Sequence, residues 1–268
     1  MIVTIDDALD PRLNAFRWRE RQLTTIAQRK SALNEGLFIA EGDLVVHRAL
    51  EAGCIPDVVL CDPKCAAEFS DAVHNAGGST LIASADIRRE VTGLGVPLDA
   101  IGVFRRPPLI TSDDLIAHST RLIVLDCVDN PSNVGSIART AAALGWDGLL
   151  LDSTSSDPLS RRALRVSMGT TFKLGFARFA STSDILAQLH RSGFATVGLT
   201  PHHESREVHN LRSIQLEGKR ALVLGSERQG LSDASLKQCT QLANISMADG
   251  VDSLNVASAS AIACFALL

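Results

Sequence analysis

Three polar stretches in this 268-residue chain combine residue types and spacing that could do chemistry. The first is Asn130-Pro131-Ser132-Asn133-Val134-Gly135-Ser136-Ile137-Ala138-Arg139-Thr140. It reads as a loop entering a helix, with Asn133 as the cap and Gly135 allowing another group to approach closely. Arg139, two turns in among small apolar neighbours, could meet an anion, or could simply snorkel to the surface. The second is Leu224-Gly225-Ser226-Glu227-Arg228-Gln229-Gly230-Leu231, an apolar strand that breaks at glycine twice around a glutamate. Such a turn exposes backbone N–H groups to a ligand, although an ordinary strand-to-helix loop has the same form. It is neither a G-x-G-x-x-G dinucleotide fingerprint nor a G-x-S-x-G nucleophile elbow. The third, Ile245 to Val256, leaves a strand, crosses a polar loop and enters the last helix, with Asp252 or Ser253 placed to cap it.

Two further groups carry less. His202, His203 and His209 could suggest a metal or a base, and a polar loop accounts for them equally well. Cys61 and Cys65 have a loose ligand spacing, but no second Cys or His pair follows nearby, so no metal site is expected.

These stretches need elements to position them. From Arg121 onward, apolar strands alternate with helices. Strands are expected at Arg121–Asp126, Gly148–Asp152, Phe194–Thr200, Ala221–Gly225 and Leu242–Ser246. Helices are expected at Asn133–Leu144, Pro158–Met168, Asp184–Arg191, Ser232–Gln238 and Asn255–Leu268. Continuous apolar strands between helices predict a mainly parallel sheet covered on both faces. The earlier part opens on a polar, Arg-rich stretch and continues as a smaller α/β pattern, with strands at Leu37–Ala40, Asp57–Cys61, Thr80–Ala83 and Ala100–Phe104 and helices at Asp43–Ala52 and Cys65–Ala76. The run RRPPLITSDDLIAHST reads as a linker, since its double proline and polar cluster suit neither a helix nor a strand interior. The expected organisation is therefore a domain over 1–107, a linker over 108–120 and a domain over 121–268. The last helix carries no charge, so it must be buried on most sides, within its own domain and against a second subunit.

Composition narrows the function classes. With 46% hydrophobic and 21% charged residues the chain is not a disordered one. It has no apolar run long enough to span a membrane, and its first residues lack the pattern of a secretion signal. Six cysteines inside apolar runs, without a secretion signal, read as reduced thiols of a cytoplasmic protein. Aromatics at 4%, with no tyrosine, argue against a wide base-stacking platform. The net charge of −4 points away from nucleic acid as a total. Resolved along the chain it reads differently. Residues 11–30 hold Arg12, Arg17, Arg19, Arg21, Arg29 and Lys30 against Glu20 alone, residues 161–178 hold Arg161, Arg162, Arg165, Lys173 and Arg178 with no acid, and Arg105-Arg106 ends the first domain. Clusters of this kind suit phosphate contact, and solvated faces look the same.

In order and form together, the three stretches resemble the SpoU (TrmH-type) branch of the SPOUT RNA 2′-O-ribose methyltransferases. The first matches at Asn133, Gly135, Arg139 and Thr140. The second matches at Gly225, Glu227, Gly230 and Leu231. The third matches at Ile245, Met247, Ser253, Leu254, Asn255 and Val256. The resemblance spans about residues 120–268, and FIAEGDLVVHRALEAG at Phe38–Gly53 more loosely resembles the family's L30e-like substrate-binding domain. Two positions depart: Ser246 replaces the usual proline, and Asp249 stands where glycine is common, with Gly250 following.

The resemblance implies a trefoil knot in the second domain and a homodimer formed through it and the last helix. It implies S-adenosylmethionine as cofactor, held by backbone groups at Gly225, Ile245 and Leu254, with Met247 in the same loop and Thr200 ending a neighbouring strand. It implies an RNA ribose 2′-hydroxyl as acceptor, ribosomal RNA first and transfer RNA second. A non-catalytic RNA-binding or ribosome-assembly protein is the alternative of another class. In the family the arginine corresponding to Arg139 is proposed as general base or its organiser. An arginine of ordinary pKa is a poor base, so binding a phosphate and orienting the 2′-oxygen is the other role open to it. Asn133, Glu227, Ser253 and Asn255 would fix the arginine and the ribose. RNA contact is expected at Arg17, Arg19, Arg21, Arg105, Arg106, Arg161, Arg162 and Arg165.

Overall fold

The computed structural model describes residues 2–30 and 35–268, the side chains of Ile26 and Lys30 lying outside the described residues. The chain divides into two compact units, one running to Leu109 and including Leu159–Phe172, the other comprising Ile110–Pro158 and Lys173–Leu268. The segment 159–172, expected as part of the later domain, thus folds with the first unit.

The first unit holds five strands: β1 (Ile2–Ile5), β2 (Leu37–Glu41), β3 (Pro56–Cys61), β4 (Ser79–Ala83) and β5 (Ala100–Arg105). Their order across the sheet is β1-β4-β3-β5-β2. β1, β4 and β3 run parallel, and β5 lies antiparallel to both β3 and β2. Edge strand β1, Ile-Val-Thr-Ile, has no counterpart among the expected strands. Helix Ala85–Thr92, capped by Ser84, also has no sequence counterpart, because its arginines mask the short apolar face.

The second unit holds β6 (Arg121–Leu125), β7 (Gly148–Leu151), β8 (Gly175–Arg178), β9 (Ala195–Leu199), β10 (Val208–Asn210), β11 (Arg220–Leu224) and β12 (Gln241–Asn244). They form one sheet in the order β10-β12-β9-β11-β6-β7-β8, with every pair parallel. The fold is α/β with a mainly parallel sheet, as the alternation of apolar strands and helices predicts. Side chains alternate between its two covered faces. Ile123, Leu125, Leu222 and Leu224 join the core under helices Pro131–Ala143 and Val256–Ala266. Leu122, Val124, Ala221 and Val223 join the core under Ser112–Ala117 and Thr182–Arg191. A slip of one residue would exchange the two sets, so register is firmly specified.

Two local expectations are corrected. The run read as linker contains helix Ser112–Ala117: Thr111 accepts from the Asp114 N–H, and Asp113 and Asp114 fill the first turn. Ser, Thr and Asp are poor in a helix interior and good at its start, which is where they stand. Pro158 precedes its helix rather than opening it. Ser160 is the cap, accepting from the Ala163 N–H, and the helix is Arg161–Ser167.

Candidate active site

The three polar stretches leave the C-terminal ends of β6, β11 and β12. In open parallel sheets that edge is where ligands bind. Helix Pro131–Ala143 follows β6, but its cap is Asn130, whose side chain accepts from the Ser132 N–H at 2.9 Å, with Pro131 at the first helical position. Asn133 is therefore not a cap. It sits in the first turn, 5% exposed, with its amide available for another task. Likewise the last helix is capped by Asn255, not by Asp252 or Ser253: its side-chain oxygen accepts from Ala257 N at 2.9 Å and Ser258 N at 3.3 Å.

The amide nitrogen of Asn255, freed by that arrangement, reaches the other two stretches. It donates to Glu227 Oε1 at 2.6 Å and to Asn133 Oδ1 at 3.1 Å. Asn133 Nδ2 donates to the same Glu227 oxygen at 2.8 Å. Three side chains from three loops thus close a ring of hydrogen bonds, and two amides share one carboxylate oxygen, which makes the contacts charge-assisted. Ser253 is exposed, without a hydrogen bond among the described residues. The Arg139 side chain is also exposed and makes no hydrogen bond or ion pair among the described residues. It lies six residues beyond Asn133, about 9 Å along the axis and turned by about 120°, so it does not join the ring.

The turn carrying Glu227 is closed at its neck. Ser226 and Gly230 exchange backbone hydrogen bonds, both at 3.0 Å. Gly230 adopts a positive φ of 70°. A Cβ on Gly225 would come within 2.2 Å of the Gly230 carbonyl carbon. Glycine is required there for contact rather than for conformation.

The family profile described as "SpoU rRNA Methylase family" matches residues 120–265, more than half of the chain and all three loops. The chain belongs to the SpoU rRNA methylase family. It is an RNA methyltransferase. It is 34% identical over 260 residues to an uncharacterized tRNA/rRNA methyltransferase of Mycobacterium tuberculosis, covering 97% of this chain and 89% of that one. It is 30% identical over 155 residues to a 23S rRNA (guanosine-2′-O-)-methyltransferase of Vibrio vulnificus, covering 57% and 61%. An AdoMet-bound rRNA methyltransferase from Sinorhizobium meliloti shares the fold, with a TM-score of 0.83 at 24% identity over 99% of this chain and 97% of that one.

In this SpoU chain the expected cofactor residues fall into two groups. Ile245 and Met247 line a cavity of about 1000 Å³, with Ser246 and Ala248 beside them and Leu211 and Phe265 across from them. Thr200, Gly225 and Leu254 do not line it. Thr200 is buried, its N–H donating to Ala243 O at 2.9 Å and its hydroxyl to His202 O at 3.0 Å. Leu254 is 38% exposed. Between Ile245 and Leu254 the loop makes one internal backbone bond among the described residues, Val251 N to Ala248 O. The other backbone groups of that loop remain available to a ligand. Unspent backbone donors and acceptors beside apolar walls fit an adenine-bearing cofactor.

The basic residues expected at RNA are placed differently from one another. Arg19 and Arg21 are exposed. Arg17 donates to Ala8 O and lies 4.0 Å from Glu90. Arg105 pairs with Asp57 at 2.9 Å, and Arg106 is buried. Arg161 and Arg165 hold opposite oxygens of Glu41, at 3.2 and 2.8 Å, and that carboxylate is 2% exposed. Arg161 also donates to Phe16 O and Trp18 O. Arg162, between them, is exposed.

The sequence motifs pass over two carboxylates at the same sheet edge. Asp126 follows β6 and Asp152 follows β7, both buried. Asp152 accepts from Cys127 N, Ser155 N and Thr154 N at 3.1, 2.9 and 3.0 Å. Burial works to raise its pKa, and the hydrogen bonds from Ser155, Thr154 and the Cys127 N–H overcome that, holding it below the usual carboxylate value. Cys127, between the two, is exposed with φ of 63°. Burial foremost, and the carboxylates beside it, push its thiol up. The signal was present in the sequence: both strands are apolar runs that end in Leu-Asp.

Proposed function

We propose that this protein transfers a methyl group from S-adenosylmethionine to a ribose 2′-hydroxyl of RNA, with ribosomal RNA as the substrate. The observation that carries the reading is the Asn133–Glu227–Asn255 ring, which ties the three family loops into one site. The methyl donor of the family supplies an activated methyl group on a sulfonium, so no metal is called for. Gly225, Ile245, Met247 and Leu254, with Thr200 behind them, are the residues that would hold it.

A ribose hydroxyl is a poor nucleophile at neutral pH and must lose its proton during attack. Arg139, exposed and uncommitted, is suited to grip the phosphate beside the ribose and so aim the 2′-oxygen in line, a gain from positioning. Asn133, Glu227, Ser253 and Asn255 shape the pocket around that oxygen. Arg19, Arg21 and Arg162, exposed members of the two basic clusters, would meet RNA phosphates. Arg161 and Arg165 act by holding Glu41. The apolar face left on the last helix, with Ile262 at 43% and Phe265 at 70% exposed, supports a homodimer built through that helix.

Ribosomal RNA is favoured by the rRNA name of the matching family and by the 23S rRNA relative. The intact ring argues against a non-catalytic RNA binder. In a labelled methyl-transfer assay, Arg139→Ala is expected to lose transfer to RNA while calorimetry shows S-adenosylmethionine binding largely unchanged. Full activity in that variant overturns the role of Arg139. Comparison of 2′-O-methyl sites in cells with and without the protein names the target. A missing site in transfer RNA alone would replace ribosomal RNA with transfer RNA.

A further inference from the structure

Asp126 grips the Gly225–Leu231 turn from both ends. Its backbone N–H donates to Leu224 O at 2.8 Å, immediately before Gly225. Its carboxylate Oδ2 accepts from Ser232 N at 2.9 Å, immediately after Leu231, and from Ser235 Oγ at 2.7 Å. The other oxygen, Oδ1, accepts from Thr182 Oγ1 at 3.3 Å. Asp126 is 1% exposed, Ser235 is fully buried, and the donors Ser232 N, Ser235 Oγ and Thr182 Oγ1 are neutral. A buried carboxylate with this many partners is held in one place. It fixes a turn that is otherwise exposed from Glu227 to Gly230.

We propose that Asp126 is a positioning residue for methyl transfer: it sets the width of the neck of the Gly225–Leu231 turn, and through the turn the placement of Glu227 and of the backbone that meets the cofactor. This rests on the reading of that turn as the cofactor's. The rigidity is needed because Glu227 must reach both Asn133 and Asn255 with one oxygen, and a shift of the turn by a fraction of an ångström breaks one of the two contacts.

The test uses the full chain and three variants. Asp126→Ala removes the acceptor while leaving the backbone bond to Leu224. Asp126→Asn can present its carbonyl oxygen to Ser232 and Ser235 and its amide to the Thr182 hydroxyl. Ser235→Ala removes one of the two bonds to Oδ2 and leaves the carboxylate in place. Calorimetry with S-adenosylmethionine, filter binding with bulk ribosomal RNA and thermal melting are read together. Asp126→Ala is expected to raise the Kd for S-adenosylmethionine at least tenfold while the Kd for RNA stays within twofold. Asp126→Asn is expected to return the cofactor Kd to within threefold of the parent, and Ser235→Ala to raise it two- to fivefold. If cofactor and RNA affinities fall together with the melting temperature, Asp126 is a fold residue and the proposal is wrong. If Asp126→Ala does not fold, an unchanged cofactor Kd in Ser235→Ala is sufficient to overturn it. A parent protein that binds no S-adenosylmethionine would instead remove the reading of the turn on which the proposal stands.

Discussion

Gly225 has no room for a methyl group, and the obstacle is backbone rather than a side chain that could swing aside. A Cβ there meets the Gly230 carbonyl carbon and oxygen at 2.2 Å and Leu231 N at 2.3 Å. Gly225→Ala must therefore open the neck of the turn, at the 1–3 kcal/mol typical of overpacking or about that. The expected outcome is a lower melting temperature together with loss of S-adenosylmethionine binding in calorimetry, and parent-like binding would show that the turn is not the cofactor's. Asp152 gives a prediction with a sign. Its folded pKa is lowered from the ordinary 3.8, so the stability it contributes is fully present above that pH and is lost as pH falls through the lower folded value. The melting-temperature gap between the parent and Asp152→Asn should be wide at pH 7 and shrink below about pH 3.8. A gap that stays constant from pH 7 to pH 3 would contradict the hydrogen-bond origin of the shift.

The elements differ in how far their sequences specify them. The central strands of the second sheet, such as RLIVL in β6 and RALVL in β11, are legible because both faces are buried and nearly every residue is apolar. β8 (GFAR) and β10 (VHN) are not, because each is short, partly polar and at a sheet edge, and its neighbour supplies the pairing that its own residues do not announce. The same distinction holds at the site. The three loops and their motif residues stand in the sequence, and the ring that joins them does not, since it depends on which asparagine caps each helix. Asn130 rather than Asn133 caps the first because Pro131 takes the first helical position. That frees Asn133. Asn255 performs both tasks at once, capping the last helix and donating to Glu227 and Asn133. Asn255→Asp keeps the capping oxygen and removes the amide donor, placing a second carboxylate against Glu227. Asn255→Ala removes both, at the cost of about 0.5–2 kcal/mol for the cap alone. Methyl transfer is expected to fall at least tenfold in both variants, whereas a melting temperature close to the parent's is expected only for Asn255→Asp. Parent-like activity in Asn255→Asp would separate the ring from the chemistry.

At the scale of the whole molecule the division of the chain does not follow its order. Residues 159–172 lie within the sequence of the methyltransferase unit and fold with the first unit. What they supply there is charge compensation. Glu41 ends β2 with a side chain 2% exposed, and the arginines on its two oxygens are Arg161 and Arg165. Arg161 also satisfies Phe16 O and Trp18 O at 2.7 and 2.8 Å, and its own N–H donates to Glu20. Phe172 packs on Phe38 with ring centroids 5.7 Å apart, and Arg48 donates to Met168 O at 2.6 Å. A fragment cut at the apparent boundary, residues 1–109, would lose both arginine partners of Glu41 and the Phe172 ring that packs on Phe38. Breaking a buried pair costs at most roughly 3–5 kcal/mol, the full amount only where the carboxylate stays out of water, and the lost packing adds to it, against the 5–15 kcal/mol or so that holds a domain folded. The fragment 1–109 is therefore expected to lack a cooperative thermal transition by circular dichroism, while the same fragment joined to residues 159–172 through a flexible linker is expected to regain one. Glu41→Gln in the short fragment separates charge from packing, because it removes the uncompensated carboxylate without restoring the helix, and partial recovery of the transition is expected. If residues 1–109 alone melt cooperatively at the temperature of the joined fragment, the two arginines do not stabilise the first unit through Glu41, and their place among the RNA contacts is open again.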